Sequence, residues 1–405
     1  MICDLTSIKK TQWYNTILYN KNYTFVYNTG LFMAIPFQFG HLADGENFIN
    51  RQEEANRLSR NFQSGVNTLI ISPRRWGKSS LVSRVVKQLR TNSNLRVVTI
   101  DLFSVRSEQQ FLSLFAREVI KATSTKWEEW GENVRKFIGS AVPKIAFGNQ
   151  PGAEVELELS WADKKINPLE IYDLPEVIAK KKKLKVVICI DEFQNIGHFA
   201  DPTGIQKQMR SVWQKHQHAS YCLYGSKKHF LTHVFTHQSM PFYRFGDLMY
   251  LPKIEISHWL KFIPAQFKKN GKKISLELAE ALCNSVSLHP FYVQQLAQRV
   301  WILTENETSR EVLDKSLDAL LNDNAFGFQR DVENLTATQL NFMRAFKDGV
   351  KSFTTLETLT NYELGTQGNI KRIKTALEQK DIMDFSGPQP EFIDPLFEIW
   401  FRRSF

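Results

Sequence analysis

At 405 residues, 42% hydrophobic and 23% charged, the chain has the composition of a soluble globular protein with room for two or three cores. Its formal net charge of +10 permits nucleic acid or another acidic partner without requiring one. Cys3, Cys189, Cys222 and Cys283 show no C-x-x-C spacing, which excludes a disulfide framework or a zinc ribbon and fits a reducing cytoplasm. No apolar stretch approaches membrane-spanning length, and the Asn and Tyr residues that follow Lys9 and Lys10 make a poor signal peptide.

Residues 1–32 are rich in aromatic residues and Asn, with little periodicity. We read 1–36 as an N-terminal extension with Met33 as an alternative start; an ordered extra strand is the other possibility. A helix carrying Ala55, Leu58 and Phe62 comes next, then the apolar run Thr68-Leu69-Ile70-Ile71. That run enters Ser72-Pro73-Arg74-Arg75-Trp76-Gly77-Lys78-Ser79-Ser80, and a helical pattern of Leu81, Val85, Val86 and Leu89 follows. Strand, tight turn and helix in that order suit a triphosphate, because the turn amides wrap phosphate and the helix N-terminus adds its positive dipole end. Lys78 is placed to reach the β- and γ-phosphates and Ser79 to ligate Mg²⁺. Ser72 stands where G-x-x-x-x-G-K-[ST] has its first glycine, so the loop is expected to enter differently. The bland alternative is a basic surface turn.

A strand at 95–102 and a helix at about 107–122 come next, and period-two alternation around 143–160 predicts a β-hairpin insertion. The run Lys180-Lys181-Lys182-Lys183 suits the solvated C-terminus of a helix. It precedes Lys185-Val186-Val187-Ile188-Cys189-Ile190-Asp191-Glu192, a strand apolar on both faces and so central in a parallel sheet. Open α/β sheets bind ligands at such strand ends. Asp191 is then placed to hold Mg²⁺ through water and Glu192 to polarise the attacking water, unless the two acids merely cap a helix. After a helix at 203–216, the strand 220–226 ends in Ser226, either a γ-phosphate sensor or a plain strand end. Residues 256–320 read as wholly helical. From Leu335 three helices and two short strands around Gly387 make a winged helix. The predicted fold is therefore α/β: a P-loop NTPase parallel sheet flanked by helices (37–255), then an all-α lid (256–330) and a winged-helix domain (331–405).

These motifs resemble those of the archaeal-type ATPase family, a branch of P-loop ATPases close to the STAND and AAA+ groups. The resemblance rests on Phe48-x-x-Arg51-x-x-Glu54, Pro73-Arg74-Arg75-x-Gly77-Lys78-Ser79-Ser80-Leu81, Ile190-Asp191-Glu192-Phe193-Gln194, Gly225-Ser226, His289-Pro290-Phe291-Tyr292 and Asp394-Pro395-Leu396-Phe397-x-x-Trp400. It implies ATP hydrolysis coupled to a conformational switch, with Arg51 and His289 beside the nucleotide. It also implies an arginine at Arg244 that stabilises charge on the transferring phosphoryl group, against the plain reading of a surface arginine. Leu288 replaces the glycine common before His-Pro, which leaves His289 either a sensor or the start of a helix.

On this reading ATP·Mg²⁺ sits between sheet and lid, and hydrolysis moves the winged helix, with turnover slow until a partner completes the site. Three outputs remain open: a switch with a protein partner or self-association, a DNA-acting ATPase using Lys371, Arg372 and Lys374, or nucleotide binding without turnover. The short uncharged wing favours protein contact or internal docking over DNA.

Overall fold

The computed structural model describes residues 35–43, 45, 48–124, 141–146, 156–161, 167–387 and 389–405, with the backbone alone for 141–146 and 156–161. The expectations for residues 1–34, Met33 included, lie outside the described residues. Phe37–Phe405 forms one compact unit.

Five parallel strands build the main sheet: β1 (Thr68–Ile71), β2 (Leu95–Asp101), β5 (Lys185–Asp191), β6 (Ala219–Gly225) and β7 (Asp247–Tyr250), in the order β2-β5-β6-β1-β7. Their apolar sequences require this placement: every residue of β1 and β6 is buried, as are the five residues 186–190 of β5. The pleat sends alternate residues to opposite faces. Leu69, Ile71, Ile188, Ile190 and Leu223 face a core closed by α3 (Glu108–Thr123), α4 (Pro168–Lys182) and α5 (Pro202–Trp213). Ile70, Val187, Cys189, Cys222 and Tyr224 face α1 (Gln52–Ser64) and α2 (Lys78–Leu89) through Leu58, Phe62, Leu81 and Val85. Each such side chain contributes about 1.5–3 kcal/mol on burial. Cys189 and Cys222 are small core residues at matched register.

The register places the functional ends together. Ile71 pairs with Gly225 on one side and Tyr250 on the other, and Asp101 pairs with Asp191. The phosphate-type loop, the two acids and Ser226 therefore leave the same edge of the sheet side by side. Between α3 and α4, β3 (Ala141–Ala146) and β4 (Glu156–Trp161) pair antiparallel, where alternation predicts a hairpin. Helix α6 (Lys228–Thr236) connects β6 to β7.

The helical region comprises α7 (Ile256–Lys269), α8 (Leu276–Ser285), α9 (Pro290–Leu303) and the 24-residue α10 (Arg310–Glu333). Three helices follow, α11 (Ala337–Lys347), α12 (Leu356–Asn361) and α13 (Gln367–Gln379), then the antiparallel pair β8 (Met383–Asp384) and β9 (Glu391–Phe392). That is the layout of a winged helix. A final helix, α14 (Pro395–Ser404), returns to α10, where Phe397 and Trp400 meet Phe328 at ring separations of 5.5 and 5.7 Å. Its start is set by Asp394, whose Oδ1 accepts the Leu396 and Phe397 amides at 2.9 and 3.2 Å, and by Pro395 in the first turn. Among the described residues no helix is long and apolar enough to cross a membrane.

Candidate active site

The loop from Ser72 to Gly77 turns through two left-handed residues, Arg75 (φ 61°) and Gly77 (φ 89°). Ser72 is not one of them: it is buried at the end of β1, and its hydroxyl bonds to the Pro73 carbonyl at 3.1 Å. The missing first glycine is therefore tolerated because this loop takes its positive φ values later. Gly77 stands immediately before α2, so Lys78, Ser79 and Ser80 occupy its first turn, where amides have no carbonyl partner.

Lys78 is buried, with a pKa held below the ordinary lysine value by desolvation and pushed back up by Asp191 and Glu192. The Asp191 carboxyl moves the other way: burial raises it, while the Ser79 hydroxyl and Lys78 oppose the rise. Ser79 Oγ donates to Asp191 Oδ2 at 2.8 Å. A hydroxyl and a carboxylate, oxygen donors only, are the ligand set of a hard divalent cation, so these residues fit Mg²⁺. The reading of Asp191 and Glu192 as helix caps is not supported. Asp191 Oδ1 accepts the Glu192 amide at 2.8 Å, and Glu192 precedes the 3₁₀ turn Phe193–His198 without capping it through its side chain.

Glu192 itself sits in the left-handed region (φ 52°), which turns its carboxylate toward the end of β6. There Ser226 Oγ donates to Glu192 Oε2 at 3.0 Å, and the Gln194 amide nitrogen bonds to the same oxygen. Arg74 Nε reaches Ser226 Oγ at 3.4 Å. Ser226 thus joins the loop to the second acid.

The other predicted residues brace the loop. Arg51 is 3% exposed; its guanidinium pairs with Glu54 at 2.9 Å and donates to the Trp76 carbonyl at 3.3 Å. The Ser80 hydroxyl accepts the Ala43 amide at 3.0 Å, which fastens the segment before α1 to α2. The Arg75 guanidinium lies 4.4 Å from the centre of the Phe291 ring. His289 occupies the position before α9 without a side-chain cap bond, edge-on to Trp76 at 6.4 Å, and burial lowers its pKa to about 4. It is at once the start of a helix and a neighbour of the loop. Leu288 before it has φ 59°, so a leucine occupies a conformation that suits glycine.

Arg244 is a correction. It lies ahead of β7, whose parallel C-terminal end, Tyr250, is the end beside the loop. Arg244 is thus at the opposite edge of the sheet, exposed, with its guanidinium 5.1 Å from the Tyr243 ring centre, and it cannot reach a phosphate bound at Lys78 of the same chain.

Two cavities flank the loop. One, of about 570 Å³, is lined by Gly77–Ser80 together with Phe48, Trp259, Pro290, Phe291 and Gln294. Its aromatic walls suit a nucleobase. The other, of about 660 Å³, is lined by Arg74, Ser226, Lys228, Tyr292, Asp381 and Asp394 and separates the loop from the C-terminal helices. Phe48, Pro290 and Phe291 were quoted only within motifs, with no base-binding role assigned, and Trp259 and Gln294 read as ordinary residues of lid helices. Gln194, quoted only within a motif, had no role assigned.

A family described as an ATPase domain predominantly from Archaea matches residues 48–283, more than half of the chain. No curated protein matches the chain in sequence. Among solved structures, a Walker-type ATPase of Pyrococcus abyssi is similar over 90% of this chain and 99% of its own, at 14% identity and a TM-score of 0.64. The ORC2 protein of Aeropyrum pernix, solved in ADPNP–ADP complexes, is similar over 89% of this chain and 97% of its own, at 14% identity and a TM-score of 0.55. These two likenesses concern the fold. The match over residues 48–283 identifies the chain as a member of the family of ATPase domains found predominantly in Archaea.

Proposed function

We propose that the chain binds ATP with Mg²⁺, hydrolyses it, and passes the nucleotide state to its C-terminal winged helix. The observation that carries the reading is the Ser79–Asp191 hydrogen bond of 2.8 Å beside Glu192 and the buried Lys78, at the edge of a parallel sheet. Family membership and the nucleotide complexes of the Aeropyrum pernix relative support ATP as ligand.

The base enters the aromatic cavity and the phosphates lie along Gly77–Ser80, where Lys78 and the amides of α2's first turn meet their charge. Ser79 and Asp191 would hold Mg²⁺, which would supply positive charge against the phosphates. Glu192 orients the attacking water, Ser226 and Arg74 face the γ-phosphate, and Arg51 holds the loop through the Trp76 carbonyl. Arg244 lies out of reach of the loop in the same chain, so in this reading a neighbouring subunit or partner completes the site and basal turnover is slow.

Contacts from the C-terminal region support the coupling. Lys228, two residues after Ser226, pairs with Asp384 of β8 at 2.6 Å, and Tyr292 of α9 donates to Asp394 at 2.6 Å. Motion of Ser226 or of the lid is felt directly by the wing. Of the basic residues of α13, Lys374 lies 5.4 Å from the Phe385 ring centre within the winged helix, and Lys371 and Arg372 are exposed. Binding of labelled nucleotide and phosphate release test the reading: Lys78→Ala is expected to lose ATP binding. Retained affinity in that variant contradicts the phosphate assignment.

A further inference from the structure

The carboxylate of Glu192 is held asymmetrically. Its Oε2 takes hydrogen bonds from Gln194 Nε2 and from Ser226 Oγ at 3.0 Å, while Oε1 takes none from the described residues. Gln194 is 4% exposed and lies two residues further along, at the start of the 3₁₀ turn. Its amide nitrogen also reaches Ser226 Oγ at 3.3 Å, and its amide oxygen has no partner. The orientation of the amide is fixed by its neighbour: turned over, it would set a carbonyl against a carboxylate.

The seat for this amide is made by a second residue. Gly225 ends β6 without a left-handed backbone, so nothing in its dihedral angles calls for glycine. What calls for it is space: a Cβ at Gly225 would collide with the Gln194 amide oxygen and stand 3.0 Å from the amide carbon. Those atoms belong to a buried side chain held at its nitrogen, so they have little room to move aside.

We infer that Gln194 is the positioning residue for Glu192, anchoring one carboxylate oxygen so that the other is presented to the attacking water, and that Gly225 is glycine in order to seat it. The inference rests on the ATPase reading above. Gln194 is buried and its amide nitrogen is directed at Glu192 and Ser226 rather than at the loop residues Gly77–Ser80. An unanchored glutamate samples other rotamers, and a catalytic base out of place loses part of the 10²–10⁴-fold that such groups supply.

The experiment uses the full chain, measuring kcat and KM for ATP and the Kd of ATP with Mg²⁺. Gln194→Met keeps the length and removes the donor; it is expected to lower kcat about tenfold or more with KM and Kd within about twofold. Gly225→Ala, which leaves Gln194 in the sequence but unseats it, is expected to do the same. The two are expected to be non-additive: Gln194→Met/Gly225→Ala turns over no more slowly than Gln194→Met, because both act on one contact. An unchanged kcat in Gln194→Met, a raised one (which would make the amide a restraint), a fall matched by lost nucleotide affinity, or additive losses each overturn the inference. Absence of turnover in wild type overturns the ATPase reading, whereas turnover that survives Glu192→Gln overturns the role of Glu192 and this inference with it. Turnover lost in Glu192→Gln yet intact in Gln194→Met overturns the inference alone.

Discussion

His289 makes the stability of the lid depend on acid. The ring is 7% exposed, its Nδ1 has no partner, and burial takes its pKa from the ordinary 6.5 to about 4, with Arg75 and Lys253 pushing the same way and Asp394 opposing. Between those values the unfolded chain binds a proton that the folded chain refuses, so stability rises with pH across the window. The contribution is whole above pH 6.5 and is lost as pH falls through 6.5 toward 4. A fall from 6.5 to about 4 corresponds to about 3 kcal/mol, of which about 2 kcal/mol is already gone at pH 5. Urea unfolding of wild type and His289→Asn at pH 7.5 and pH 5.0, followed by tryptophan fluorescence because Trp76 abuts the ring, isolates the effect. Wild type is expected to lose about 2 kcal/mol more than the variant between the two conditions. Equal losses in both proteins would refute the argument.

Two other perturbations have worked magnitudes. Gly77→Ala meets no atom within 4 Å, so its cost is that of the backbone at φ 89°, about 1–2 kcal/mol; thermal unfolding is expected to shift accordingly and ATP affinity to fall. The Lys228–Asp384 pair has side chains 34% and 13% exposed, and although burial pushes the Asp384 carboxyl up, the bonds from Lys228 and Ser386 outweigh it and hold the pKa below the ordinary value. A double-mutant cycle of Lys228→Met and Asp384→Asn, read by thermal unfolding without nucleotide, is expected to give a coupling of about 1 kcal/mol. A coupling near zero would remove the pair from the account of wing docking.

Much of the sheet was legible because burial on both faces leaves an unmistakable pattern: β1, β5 and β6 are runs with almost no polar residue. Asp191, Glu192, Lys78 and Ser79 were legible because phosphate chemistry ties residue types to strand and helix ends. The fifth strand, Asp247–Tyr250, was not, since four residues at a sheet edge, half exposed, carry no period to read. Helix α14 was hidden behind Pro395, which marks a first turn as well as a break. Arg244 was misplaced because proximity in a motif says nothing about which end of a strand a loop occupies. The partners of Glu192 lie 2 and 34 positions away in the chain, and no spacing rule joins Gln194 to Ser226; only the register of β5 on β6 does.

The central claim is that Glu192 orients water for ATP hydrolysis at a site formed by Lys78, Ser79 and Asp191. The direct measurement is phosphate release by wild type and Glu192→Gln at saturating ATP and Mg²⁺, with ATP binding determined on the same preparations. The account predicts unchanged binding and turnover reduced about a hundredfold or more in the variant. Turnover equal to wild type in Glu192→Gln would contradict it.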